Sequence, residues 1–252
     1  MVQVSFSGGR SSAMMARIML DNYDRDELIF MFANTGKEMP ETLDFVNECD
    51  VRWGLNTVWI EYCPENKFKV VDYETASRDG RPFEALIKKK KYLPNKVTRF
   101  CTSDLKVIPM QRYLKSIGVE SYYSALGIRY DEQLRYRRLK RAKQDVFTYL
   151  FPLVHFRVTR TDVLKFWHAQ GFDLKINSAL SNCDFCMMKG MAKKLAQAKL
   201  MPERVQWWID MEQLIGARFN TEYAMRDLLE LSKQPELFND KNEPEISCFC
   251  GD

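Results

Sequence analysis

The chain opens with a short apolar run, Val2, Val4 and Phe6, that breaks into Ser7-Gly8-Gly9-Arg10-Ser11-Ser12. It then continues as a broad apolar helix surface of Ala13, Met14, Met15, Ile18, Met19 and Leu20. Strand, glycine loop and helix in that order put the loop at the carboxyl edge of a parallel sheet, under the positive end of the helix. Gly8 and Gly9 can take the positive φ values that turn successive N–H groups toward one point, and Ser11 or Ser12 can cap the helix. Such a loop either cradles a phosphate or is a tight turn, since short Gly-Ser turns are common. It is not a Walker A loop, because Gly9 is followed by Arg10-Ser11-Ser12, and the spaced glycines of a dinucleotide fingerprint are missing.

The rest of the chain repeats the alternation. A continuous apolar run over 28–33 (LIFMFA) reads as a parallel strand buried on both faces, and Pro40 starts a helix to about residue 53. Further strands are expected over 57–62, 121–128 and 147–153, with a mixed stretch between residues 63 and 119 that ends as a helix. Thr159 or Thr161 can cap a helix that stops at Gly171, and the pattern is helical again to about residue 232. These elements predict an α/β doubly wound, mainly parallel five-stranded sheet over 1–175, followed by a helical, cysteine-bearing region over 176–252. Loops 7–12, 34–37 and 127–129 then share the carboxyl edge, where such sheets bind ligands.

Composition narrows the class. At 252 residues and 46% apolar content, one sizeable core with an appendage is expected. No stretch has the length of a membrane span and the first residues read as a strand, which points to a cytoplasmic protein without a membrane partner. Seven cysteines, an odd number, fit thiols or metal ligands better than a disulfide framework. The net charge of +4 does not by itself imply a polyanion, but basic residues bunch over 88–91 and 135–143. Either run is a solvated helix face or a contact for a nucleic-acid backbone.

Cys183-x-x-Cys186 brings two thiolates into one turn, a spacing used by zinc, by iron-sulfur clusters and by redox disulfides. Cys49 and Cys63 read as structural thiols, and His155 and His168 as structural histidines rather than catalytic bases.

Four segments together resemble the phosphoadenosine phosphosulfate (PAPS) reductase family and its PP-loop relatives. SFSGGRSS is similar to the pyrophosphate-binding loop, and FANTGKEMPETLDFV to the segment of the second strand. RFCTSDLKVIPMQRYL resembles the Cys-x-x-x-Leu/Arg-Lys-x-x-Pro segment, and LGIRYDEQLR the Gly-Ile-Arg-x-x-Glu-x-x-Arg segment. The resemblance implies a Rossmann-like, adenine nucleotide alpha hydrolase-like fold. It implies an adenine nucleotide, either ATP with Mg2+ or a (phospho)adenylyl sulfate, with phosphates or sulfate over Ser7, Gly8, Gly9, Arg10, Ser11 and Ser12. Phe32, Ala33, Asn34, Thr35 and Gly127 would border the nucleotide, and Lys106 and Arg129 would meet its anionic groups. Glu132 either pairs with Arg129 or Arg135 or touches the ligand.

Cluster-bearing members pair a tandem Cys-Cys, at the positions of Phe100 and Cys101 here, with a later Cys-x-x-Cys around a [4Fe-4S] cluster. That implies Cys101, Cys183 and Cys186, with Cys248 or Cys250 as the fourth ligand in place of the missing thiol at 100. Zinc, or no metal, is the alternative.

Three functions follow. The first is ATP-dependent adenylation with sulfur transfer to a nucleic-acid or protein acceptor. The second is thioredoxin-dependent reduction of PAPS or adenosine phosphosulfate to sulfite through Cys248 or Cys250, although the ending Cys-Phe-Cys-Gly-Asp departs from the reductases' Glu-Cys-Gly-Leu-His. The third is a non-catalytic nucleotide- or nucleic-acid-binding module with structural zinc. The chain could act as an oligomer in any of them.

Overall fold

The computed structural model describes residues 1–142, 145–176, 180 and 182–234. Six strands, β1 (Val2–Ser5), β2 (Leu28–Asn34), β3 (Val58–Glu61), β4 (Lys69–Val71), β5 (Tyr122–Ala125) and β6 (Phe147–Leu150), form one sheet in the order β4-β3-β2-β1-β5-β6. All neighbours are parallel except β3 and β4. The sheet therefore has one strand more than the sequence predicts. β4 is three residues long and Val70 is 55% exposed, so this antiparallel edge carries neither the length nor the buried pattern that marks a strand.

The helices are α1 (Arg10–Asn22), α2 (Pro40–Trp53), α3 (Arg81–Lys90), α4 (Phe100–Thr102), α5 (Ile108–Ser116), α6 (Gln133–Arg141), α7 (Pro152–His155), α8 (Arg160–His168), α9 (Met191–Leu200), α10 (Val205–Ile215) and α11 (Met225–Ser232). A π turn over Ser103–Val107 joins α4 to α5. α8 begins as its sequence predicts, with a reciprocal cap. The Asp162 N–H donates to Thr159 Oγ1, and the Thr159 N–H to Asp162 Oδ2 at 2.9 Å.

Strand alternation divides the core between the two faces of the sheet. Phe30 and Phe32 turn toward Ala13, Met15, Phe45 and Trp167 under α1, α2 and α8, while Met31 and Ala33 turn toward Met110 and Leu114 of α5. Phe45 and Trp53 pack on Trp167 and Phe172 with ring centroids 4.8 to 6.2 Å apart, contacts worth about 0.5–1.5 kcal/mol each beyond their burial. A third core joins Phe83, Leu86 and Ile87 of α3 and Phe100 of α4 to Phe185, Val205, Trp208 and Leu228. The C-terminal helices thus bury their apolar faces against the middle of the chain.

β1 lies at the centre. The chain builds outward to β2 and β3 on one side, then returns to lay β5 and β6 on the other. The crevice of such a sheet opens where that direction reverses, at the carboxyl ends of β1 and β5.

Candidate functional site

A pocket of about 100 Å³ occupies that crevice. Phe6, Ser7 and Ser12 come to it from β1 and α1, Ala33 from β2, and Leu126 and Gly127 from the end of β5. Thr102, Lys106, Val107 and Met110 close it from the helical segment 100–116, and Arg135 from α6. Its wall is mainly apolar, with Ser7 and Ser12 of the loop and Thr102, Lys106 and Arg135 of the helical segments among its few polar groups, the composition of small-molecule sites.

The loop after β1 holds itself in shape. Ser12 Oγ accepts from the Ser7 N–H at 3.1 Å and from Ser7 Oγ at 3.0 Å, and donates to the Gly9 carbonyl at 2.9 Å. Ser11 and Ser12 lie inside the first turn of α1, and the expected side-chain cap is absent; the N-cap is Gly9. Gly9 is extended, and Gly8 alone has the positive φ, +79°. A Cβ on Gly8 would stand 2.4 Å from Thr42 Cγ2, and one on Gly127 would stand 2.8 Å from Ser12 Cα. Gly127 lets its backbone approach the first turn of α1, whereas Gly8 makes room for the Thr42 and Val46 side chains; the N–H groups at the start of α1 are left as a cradle suited to phosphate oxygens.

Arg10 lends the loop its backbone only. Its guanidinium turns away to Asp173, with Nε to Oδ1 at 2.7 Å and Nη2 to Oδ2 at 2.9 Å, and to the Leu174 carbonyl. Arg129, 8% exposed, stands behind the loop, where Nη1 donates to Ser11 Oγ at 3.3 Å and Nε to Asp131 at 3.0 Å. Glu132 is engaged by the Arg129 N–H and by Arg135 Nη1 at 2.9 Å, so it orients arginines at the pocket. Of the residues expected along the nucleotide from β2, Ala33 reaches the pocket. Phe32 faces the opposite side of the sheet under Gly8, packed edge-on to Trp59 at 4.7 Å.

Asn34 and Thr35 build the second loop. Asn34 Nδ2 donates to Glu61 Oε1 at 2.6 Å and to the Ser77 carbonyl, and Thr35 gives both its N–H and Oγ1 to Glu38 Oε2 at 2.8 Å. Lys106 Nζ lies 3.5 Å from the other Glu38 oxygen, which is buried. Lys106 sits within the π turn, a local widening often found at functional sites.

A buried charge cluster ties this loop to the segment of the Cys-x-x-Cys. Asp184, fully buried, meets Lys37 Nζ at 3.2 Å, Arg204 Nε at 2.8 Å and Trp208 Nε1 at 3.0 Å. Lys37 also lies over the Trp207 ring at 4.7 Å, and the backbone joins through Asp184 N to Lys37 O and Met39 N to Asn182 O. Burial pushes the Asp184 carboxyl above its ordinary pKa, and the two cations pull against it. Sequence reading missed this cluster, missed Arg135 as part of the pocket and missed Glu38 as the partner of Lys106 and Thr35. For Arg135 the signal existed, as the last residue of LGIRYDEQLR.

Cys101, Cys183 and Cys186 are half-buried, but among the described residues no three His, Cys, Asp or Glu side chains come together as a metal site. Phe100, at the position of the first cysteine in cluster-bearing proteins, is a core ring packed on Tyr92 at 5.0 Å. The described residues therefore do not assemble a cluster site; Cys248 and Cys250 lie outside them. Burial pushes the Cys49 thiol far above its usual range, consistent with a structural role. Among the described residues no helix is long and apolar enough to cross a membrane.

The fold and the crevice define a doubly wound α/β protein with a glycine- and serine-rich loop at its switch point. The phosphoadenosine phosphosulfate reductase domain matches residues 1–178, and the chain belongs to that family. It is 34% identical over 201 residues, 75% of this chain and 67% of the other, to an uncharacterized nin region protein, ORF290, of Escherichia phage lambda. It is 26% identical over 225 residues, 85% of this chain, to the uncharacterized protein MJ0973 of Methanocaldococcus jannaschii, of which it spans 48%. Among solved structures, the U34-tRNA thiolase NcsA of Methanococcus maripaludis with its [4Fe-4S] cluster superposes over 99% of this chain and 78% of its own. That superposition has a TM-score of 0.46 and 14% identity. The PAPS reductase of Candida auris superposes over 66% and 71%, with a TM-score of 0.41 and 14% identity.

Proposed function

We propose that the chain is a cytoplasmic enzyme that binds ATP in this crevice, transfers the adenylyl group to an acceptor oxygen and so prepares the acceptor for sulfur. The observation that carries the reading is the convergence of Ser7 and Ser12 at the start of α1, Gly127, Lys106 and Arg135 on one largely apolar pocket. The N–H groups of the loop hold phosphate oxygens, and Arg129 keeps Ser11 in place behind them. Lys106 and Arg135 supply positive charge where charge grows as the acceptor oxygen attacks the α-phosphorus and the bond to the departing pyrophosphate breaks. A sulfide-level nucleophile then attacks the activated carbon and AMP leaves, with no net oxidation. Mg2+ bound with the nucleotide neutralises phosphate oxygens. No step is routed through an iron-sulfur or zinc site.

The family's name favours a second reading, reduction of a sulfonucleotide with thioredoxin, for which Cys250 or Cys248 would be the nucleophile. Residues 248–252, Cys-Phe-Cys-Gly-Asp, differ from the Glu-Cys-Gly-Leu-His segment of the reductases. The two separate in one assay. ATP with Mg2+ and a cellular RNA fraction is expected to give pyrophosphate, with AMP released when sulfide is added, and PAPS with thioredoxin to give no sulfite. Sulfite that disappears in Cys248→Ser/Cys250→Ser would establish the reductase instead.

A further inference from the structure

A second, wider cleft lies beside the edge strand β6. It encloses about 490 Å³, within the range of small-molecule pockets, and its walls are aromatic: Tyr23, Tyr136, Tyr149, Phe151, His155 and Phe156. Tyr136 stands edge-on to Phe151 at 5.1 Å and His155 edge-on to Phe156 at 5.0 Å. Phe156 is 47% exposed and Tyr23 42%, so faces of this set are open to solvent rather than consumed in the core.

The cleft adjoins the most basic element of the molecule. α6 carries Arg135, Arg137, Arg138, Lys140 and Arg141 and no acidic residue, with Lys140 Nζ 5.5 Å from the Tyr136 ring. The other basic run contrasts with it, since Lys88 is paired with Glu84 at 2.6 Å and Lys90 with Asp104 at 2.8 Å. Arg135 is held by Glu132 at 2.9 Å, which leaves Arg137, Arg138, Lys140 and Arg141 as the cations beside the cleft; flat aromatic faces next to such cations are what a stacked base and its phosphates require together. Successive residues of α6 also serve the two cavities, Arg135 in the wall of the nucleotide crevice and Tyr136 in the wall of the cleft.

We infer that the cleft is a base-binding site for single-stranded nucleic acid, with the strand's phosphates along α6. This deepens the reading above, on which it rests, by naming the class of acceptor delivered to the crevice. A duplex cannot offer an unstacked base to such a cleft.

The test is fluorescence anisotropy of the full chain with a labelled single strand of about 12 nucleotides, as RNA and as DNA, and with the matching duplex. ATP binding is recorded on the same samples. Phe156→Ala, at an exposed position, is expected to weaken single-strand binding about five- to tenfold with the salt slope unchanged. Arg138→Glu with Arg141→Glu is expected to weaken it at least tenfold and to flatten the slope by about two phosphates. Unchanged affinity in Phe156→Ala, equal affinity for the duplex, or no strand binding overturns the inference. ATP binding without strand binding overturns it alone, whereas strand binding without ATP binding overturns the nucleotide reading alone.

Discussion

The two loops that flank the crevice both combine local bonds with remote ties, but the remote ties differ in burial. The loop after β1 closes on itself through Ser7, Gly9 and Ser12, residues within five positions of one another. The loop after β2 has local bonds from Thr35 to Glu38 and is also held from afar, because Lys37 meets Asp184, and Asp184 meets Arg204 and Trp208 of the C-terminal segment. The remote tie of the first loop, Arg10 to Asp173, is partly exposed, whereas that of the second, Lys37 to Asp184, is buried. A ligand held between them senses both.

The sharpest way to break this contrast is at the buried tie. Asp184→Ala leaves Lys37 and Arg204 without their buried counter-charge, a loss of about 3–5 kcal/mol. Chemical denaturation is expected to show the fall, and an unchanged midpoint would remove the tie from the account. Gly8→Ala strikes the first loop. The new Cβ meets Thr42 at a strained φ, a cost of about 1–3 kcal/mol, and ATP affinity by calorimetry is expected to drop by at least fivefold. Ser12→Ala is milder, about 1 kcal/mol, because it deletes the loop's internal hydrogen bonds without a clash. It is expected to weaken ATP binding several-fold with the denaturation midpoint nearly kept, and a large fall in stability would show that this loop, too, supports the fold at large.

What the sequence showed followed the division between local bonds and remote ties. The β1 loop, the buried run of β2 and the Thr159 cap depend on neighbours in the chain, and each was legible. Ala33 could be separated from Phe32 only once the register of β2 fixed which face α5 covers, since a strand buried on both sides is apolar at every position. Asp184 reads as an ordinary polar residue between two cysteines. Its role arises from a fold that brings it to a lysine 147 positions earlier, and no local pattern encodes that contact.

The central place of β1 has a consequence for the order in which the chain is made. Its first partner, β2, emerges from the ribosome soon after it, pairing Val2 with Leu28. Its second partner pairs Val2 with Tyr123. At a synthesis rate of about 5–20 residues per second, one edge of the innermost strand waits roughly 6–24 s for its neighbour. An unpaired apolar edge is a template for other chains, so nascent copies on crowded ribosomes are exposed to mispairing during that interval. Slower translation between residues 28 and 122 would lengthen the interval, and a chaperone covering β1 would make its length immaterial.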